Sequence, residues 1–92
     1  MAVAMETIYA RVGRVPRGHV TTYGDLSPGA ARYAGRALAR MPAGLPWWRV
    51  VRSDGTWPKG DEQRARLLAE DVPIRGNRVV MSQARIPPEA IL

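Results

Sequence analysis

No cysteine occurs anywhere in this 92-residue chain, and that absence limits what it can fold into more than any other feature. A chain so short buries only about 60–65% of the surface its unfolded form exposes, and without cysteine no disulfide can supplement the apolar core. The expectation is one small domain spanning residues 1–92, with no apolar surplus for a second core. Its packed part falls at about residues 5–80, with a loosely held tail at 81–92. The same absence removes iron–sulfur clusters, thiolate zinc sites and cysteine nucleophiles. His19 is the sole histidine, so no metal site and no cofactor are expected, and no catalytic residue is assigned.

The net charge of +6 is unevenly spread. Residues 11–52 hold eight arginines against one acid, Asp25, for a local charge of +7, whereas residues 53–92 balance six basic with six acidic side chains and Glu6 supplies the remaining −1. Such a region attracts a polyanion from a distance and releases counterions when one docks. Lys59 is the one lysine among the fourteen basic residues. Arginine is the better fork for phosphate, although genomic composition can produce the same ratio.

Met5, Ile8, Tyr9 and Val12 recur at i, i+3, i+4 and i+7, which predicts an amphipathic helix from Ala4 to about Gly13. Pro16-Arg17-Gly18 ends it. His19-Val20-Thr21 is short and extended, and Thr22 has the character of an N-cap whose hydroxyl reaches amides near Asp25, opening a very short helix at Tyr23–Leu26. Ser27 as cap and Pro28 at the first helical position start another helix that continues to about Met41. Its alanines form a face for close packing, while Arg32, Arg36 and Arg40 form one basic ridge. Two helices across a tight turn, the second carrying the ridge, outline a helix-turn-helix. Trp47 to Trp57, turning at Ser53-Asp54-Gly55, reads as a small hairpin or irregular wing. Asp61 to Asp71 is helical, with acids in its first turn, and Arg75-Gly76-Asn77-Arg78 turns between short extended pieces. The fold class expected is mainly α: a small winged-helix-like helix-turn-helix domain with a short β-hairpin or wing.

Four segments are more specific. Val15-Pro16-Arg17-Gly18-His19-Val20-Thr21-Thr22-Tyr23-Gly24-Asp25-Leu26, Ala30-Ala31-Arg32-Tyr33-Ala34-Gly35, Leu45-Pro46-Trp47-Trp48-Arg49-Val50-Val51 and Leu67-Leu68-Ala69-Glu70, in this order and spacing, resemble the DNA-binding domain of O6-alkylguanine-DNA alkyltransferases. In that family the third segment reads Pro-Cys-His-Arg, with Cys accepting the alkyl group and His serving as its base. Here Trp47 and Trp48 occupy those positions. An indole neither ionises usefully nor forms a transferable thioether, so the pattern looks like that of the alkyltransferase-like proteins. The resemblance then implies a protein that is no enzyme: it binds O6-alkylguanine in double-stranded DNA from the minor groove, flips the nucleotide and flags the lesion to nucleotide-excision repair damage-recognition proteins. It implies a monomer, cytoplasmic or nucleoid-associated in a prokaryote, and no membrane partner; the chain has no apolar run near the ~20 residues that span a bilayer, and residues 1–10 lack the features of a signal peptide.

Carried over position by position, the resemblance makes Tyr23 the tyrosine set against the phosphate beside the lesion and Arg32 the finger that fills the gap left by the flipped base, which a planar guanidinium can do by stacking. Thr22, Tyr23, Ala31, Arg32, Gly35 and Arg36 become the DNA-binding set. Tyr23, Trp47, Trp48, Arg49, Val50, Trp57 and Lys59 become the lesion pocket, where a base stacked on an aromatic face gains roughly 1–3 kcal/mol. Blander readings stand beside these: Tyr23, Trp48 and Trp57 as core aromatics, Arg32 and Lys59 as solvated cations, Arg49 and Glu70 paired or each facing water. The chain departs from the family in having only Ser27-Pro28-Gly29 between the two helices, Tyr33 where a small or aliphatic residue is usual, and Met41 in place of Asn. A general helix-turn-helix DNA binder or transcription regulator without lesion specificity is the competing function, and a base-excising glycosylase finds few candidate acids.

Overall fold

The computed structural model describes residues 3–92; residues 1 and 2, which the expected domain span includes, lie outside the described residues. Helix α1 (Met5–Gly13) forms where the apolar spacing requires it, burying Ile8 and Val12 and carrying Glu6 in its first turn and Arg11 in its last, both favourable against the helix dipole. Its exposed side is not idle. Tyr9 donates its hydroxyl to the Ala37 carbonyl at 2.8 Å, and Arg11 donates to the Leu26 carbonyl at 2.9 Å, so α1 fastens the two helices that follow.

Strand β1 (Thr21–Thr22) leads directly into α2 (Tyr23–Leu26). Thr22 is the N-cap, its Oγ1 accepting the Asp25 amide at 3.0 Å. The following helix α3 (Ala31–Ala39) starts later than the Ser27-Pro28 signal suggested. Gly29 adopts φ +76°, a left-handed conformation that interrupts a helix, and the Ala30 amide closes a turn on the Ser27 carbonyl at 2.9 Å. Ser27 is therefore a buried turn residue and not a cap. Ala34 and Ala37 are fully buried, so α3 packs closely against α1 and α2, with Arg32, Arg36 and Arg40 exposed along it.

Of the small hairpin or irregular wing expected from Trp47 to Trp57, only an irregular turn at residues 52–56 forms. Trp47–Arg49 makes a single 3-10 turn, and strand β2 (Val50–Val51) pairs parallel with β1, Thr21 opposite Val50 and Thr22 opposite Val51. Thr56 lies only at the end of a tight turn closed by Arg52. The antiparallel hairpin is β3 (Ile74–Arg75) with β4 (Arg78–Val79), around the Gly76-Asn77 turn. Between β2 and β3, α4 (Gly60–Ala69) carries Asp61 and Glu62 in its first turn; it buries Leu67 but leaves Leu68 43% exposed.

The single core expected of so short a chain is divided. Ile8, Val12, Val15, Leu26, Ala34, Ala37, Val50 and Ile91 form one buried cluster, and Val20, Val51, Leu67, Val72, Val79 and Ala84 form the other. The short parallel pair is the seam, because successive strand residues point to opposite faces and so Val50 enters the first cluster while Val51 enters the second. Buried Gln63 stitches the seam to α4: its amide donates to the Trp48 and Val50 carbonyls at 3.0 and 2.8 Å, and its carbonyl accepts the Lys59 amide at 3.0 Å.

The segment 81–92 is not a loose tail. Helix α5 (Met81–Ala84) is followed by a bridge in which the Val20 amide donates to the Ala84 carbonyl and the Ile86 amide to the Val20 carbonyl, both at 2.9 Å. The final 3-10 turn, Pro88–Ile91, buries Ile91 completely. No helix among the described residues is long and apolar enough to cross a membrane.

Candidate nucleic-acid interface

The capped start of α2 places Tyr23 half-buried at the junction of two neighbouring clefts. One, of 320 Å³, is walled by Tyr23, Leu38, Trp47, Lys59 and Glu62. A second, also 320 Å³, is shallower and is lined by Tyr23, Ala31, Arg32, Gly35, Leu38, Ala39, Arg52, Pro58 and Lys59. Burial pushes the Tyr23 phenol above its ordinary pKa, with Arg52 pulling the other way, so the hydroxyl stays protonated near neutrality and can donate to an anion.

Trp47 belongs to the first cleft and also to a third, of 480 Å³, formed with Trp48, Leu38, the Met41–Leu45 loop and Arg66. The two indoles meet edge to face, 6.0 Å between centroids and 88° between planes. Arg66 lies 5.6 Å from the Trp47 ring and 4.8 Å from the Trp48 ring, while Arg49 approaches Trp48 at 5.5 Å. Both cations are within cation–π range. Both indoles line the third cleft, and Trp47 alone of the two also walls the cleft that holds Tyr23 and Lys59.

Arg49 is committed elsewhere. Its guanidinium donates to both Glu70 carboxylate oxygens, at 2.9 and 2.6 Å, and to the Val15 carbonyl at 2.8 Å. These bonds hold the Glu70 carboxyl below its ordinary value against the opposing effect of burial. The buried Trp48 indole N–H adds to the lowering without reaching hydrogen-bond geometry. The family-like Arg and acid therefore pair, fixing the Trp47–Arg49 turn to the end of α4.

Of the expected lesion-pocket residues, Tyr23, Trp47 and Lys59 converge on one cleft, and Trp48 adjoins it through Trp47. Val50 does not line it, because its side chain is fully buried between α1 and α3. Arg49 points into its ion pair, and Trp57 packs against the second core cluster. Of the expected DNA-binding set, Ala31, Arg32 and Gly35 share the shallow cleft with Tyr23, and a Cβ on Gly35 would meet nothing within 4 Å. Arg36 instead stacks on Tyr33, 5.8 Å from its ring. Thr22 is only 4% exposed, its side chain spent on capping. Sequence reasoning missed Leu38, Glu62, Arg66 and Arg52. The i, i+4 spacing of Glu62 and Arg66, which pair at 3.5 Å, is a signal that could have grouped them on one helix face, but nothing in it points to the indoles that Arg66 covers.

The sequence of residues 4–72 matches the family described as 6-O-methylguanine DNA methyltransferase, DNA binding domain. The chain is 43% identical over 83 residues to a DNA base-flipping protein of Escherichia coli, an alignment that covers 78% of this chain and 64% of that protein's length. It is 35% identical over 80 residues to Alkyltransferase-like protein 1 of Schizosaccharomyces pombe, covering 73% and 74% of the two chains. Its fold superposes on S. pombe Atl1 in complex with damaged DNA containing O6-carboxymethylguanine with a TM-score of 0.80 at 28% identity, covering 91% of this chain and 94% of that one. With the motif match spanning α1 to the end of α4 and the fold shared beyond it, the chain belongs to the family of the 6-O-methylguanine DNA methyltransferase DNA-binding domain.

Proposed function

We propose that this protein recognises O6-alkylguanine in duplex DNA, holds the flipped nucleotide against Trp47 and leaves the alkyl group in place. The observation that carries this reading is the cleft shared by Tyr23, Trp47 and Lys59 beside an exposed arginine ridge, in a chain without cysteine. An unstacked base needs an aromatic wall, and alkyl transfer needs a nucleophile that an indole does not provide. Relatives named for base flipping and a like-folded protein bound to O6-carboxymethylguanine DNA support the same reading. In it, Arg32 enters the minor groove, Tyr23 sits against the adjacent phosphate, and residues 1–92 act as one monomeric unit. The bound lesion is then read by nucleotide-excision repair damage-recognition proteins, since binding alone removes nothing.

The test is a titration of a short duplex carrying one O6-methylguanine against its unmodified twin at fixed salt, followed by base analysis of the recovered DNA. Tighter binding to the modified duplex with the adduct intact is expected, and Trp47→Ala should erase the difference. Equal affinity for the two duplexes leaves a general helix-turn-helix binder acting through Arg32, Arg36 and Arg40; a demethylated product overturns the non-catalytic assignment.

A further inference from the structure

Two adjoining clefts share Tyr23 and Lys59 but differ in charge. The one walled by Trp47 sets Glu62 against Lys59, so its polar rim is balanced. The other gathers Arg32, Arg52 and Lys59, and none of its lining residues is acidic. A neutral nucleobase suits the first, and the strongly anionic DNA backbone suits the second. Arg52 is the cation there that neither the helix-turn-helix pattern nor the family motifs single out.

Its position is built rather than incidental. Arg52 opens a tight turn in which its amide donates to the Thr56 carbonyl and the Gly55 amide donates back to the Arg52 carbonyl, both at 2.9 Å. Asp54 holds the turn from within, accepting the Thr56 amide at 3.0 Å and its hydroxyl at 2.7 Å, while the Arg52 guanidinium donates to that hydroxyl at 3.3 Å. The turn is pinned to β4 through Gly55, whose carbonyl accepts the Val79 amide at 2.9 Å. Gly55 has φ +89°, and a Cβ there would lie 2.6 Å from the Val79 carbonyl oxygen, so glycine alone permits this approach. Arg52 is nevertheless exposed, and the 3.3 Å bond to Thr56 engages only one guanidinium nitrogen.

We infer that Arg52 is a phosphate-holding residue for the DNA strand that crosses the Tyr23–Arg32 cleft. The inference rests on the DNA-binding reading above. Each phosphate neutralised contributes about −0.9 to the slope of log affinity against log salt, and a backbone contact carries no base information. Salt titrations of wild type, Arg52→Gln and Arg52→Lys on the modified and unmodified duplexes test it. Arg52→Gln should lower the slope by about 0.9 and weaken binding by the same factor on both duplexes, whereas Arg52→Lys should keep the wild-type slope. A wild-type slope in Arg52→Gln, or a loss confined to the modified duplex, overturns the inference while leaving lesion recognition intact. Wild-type protein that binds neither duplex overturns the DNA reading and this inference with it. Unchanged circular dichroism of the variants separates lost contact from lost fold, and Arg52→Lys keeps the comparison valid should Arg52→Gln unfold.

Discussion

Two buried polar side chains, Gln63 and Glu70, govern how firmly the candidate site is held. Gln63 is 1% exposed and satisfies three backbone groups at once, two of them in the Trp47–Val51 stretch. Replacing it with leucine keeps the volume but leaves those groups unpaired in the interior. Gln63→Leu should cost about 1–3 kcal/mol of stability, read by denaturant unfolding. Glu70 acts through charge. Its folded carboxyl sits below the ordinary 4.5, chiefly through the Arg49 hydrogen bonds, so its stabilisation is complete above that ordinary value and is lost as pH falls through the lower folded one. Glu70→Gln should therefore be less stable than wild type by about 1–3 kcal/mol at neutral pH, with the gap closing only below pH 4.5. A gap that persists unchanged into acid would mean that shape, not charge, holds the pair. The sequence made Arg49 and Glu70 visible as family positions but left their pairing open, because a separation of 21 positions put the contact beyond any local signal. Gln63 left no trace at all: beside Asp61 and Glu62, both exposed in the first turn of α4, nothing distinguishes an inward glutamine from a solvated one.

At the level of elements, local chemistry was legible and pairing was not. Apolar spacing placed α1, the Thr22 cap placed α2, and the first-turn acids placed α4, each a signal contained within a few residues. The start of α3 was misplaced because Ser27-Pro28 imitates a helix start while Gly29 takes the chain left-handed. The hairpin alternative at Trp47 to Trp57 failed for a different reason, while its irregular-wing alternative stands. Val50-Val51 was correctly extended, but its partner is β1, some thirty residues earlier and parallel, which no turn signal announces. The end of α4 holds a testable weakness. The Val72 amide reaches back to the Leu67 carbonyl at 3.1 Å and the Asp71 amide to the Leu68 carbonyl at 3.0 Å, a Schellman ending that favours glycine at the left-handed position. That position is Asp71, with φ +59°. Asp71→Gly should raise stability by about 0.5–1 kcal/mol, the relief of left-handed strain exceeding the added unfolded-state freedom. The melting temperature should rise by several degrees, and a fall would mean that the aspartate side chain stabilises the turn.

For the molecule as a whole, two small clusters meeting at one two-residue strand pair leave little surplus, so the closing segment has to contribute. Arg85 makes a two-pronged pair with Asp25 at 2.8 and 2.7 Å, linking the end of the chain to the first turn of α2. Arg14 donates to the Ile91 carbonyl at 3.3 Å, and the Ile91 side chain completes the cluster formed by α1 and α3. Sequence alone marked this stretch as a loosely held tail; its role depends on a cluster built by residues far earlier in the chain. Adjacent positions separate the two views. Ile91 is 0% exposed and Leu92 67% exposed, so an untethered tail would treat their loss alike. Ile91→Ala should cost about 2–5 kcal/mol through lost burial and the void left behind. At about 4–8 °C per kcal/mol for a domain this size, that is a fall of roughly 10 °C or more in melting temperature. Leu92→Ala should stay within about 0.5 kcal/mol of wild type. Since Ile91 touches the same cluster that seats α3 beneath the arginine ridge, thermal melts of the two variants also report how far that helix depends on the closing 3-10 turn.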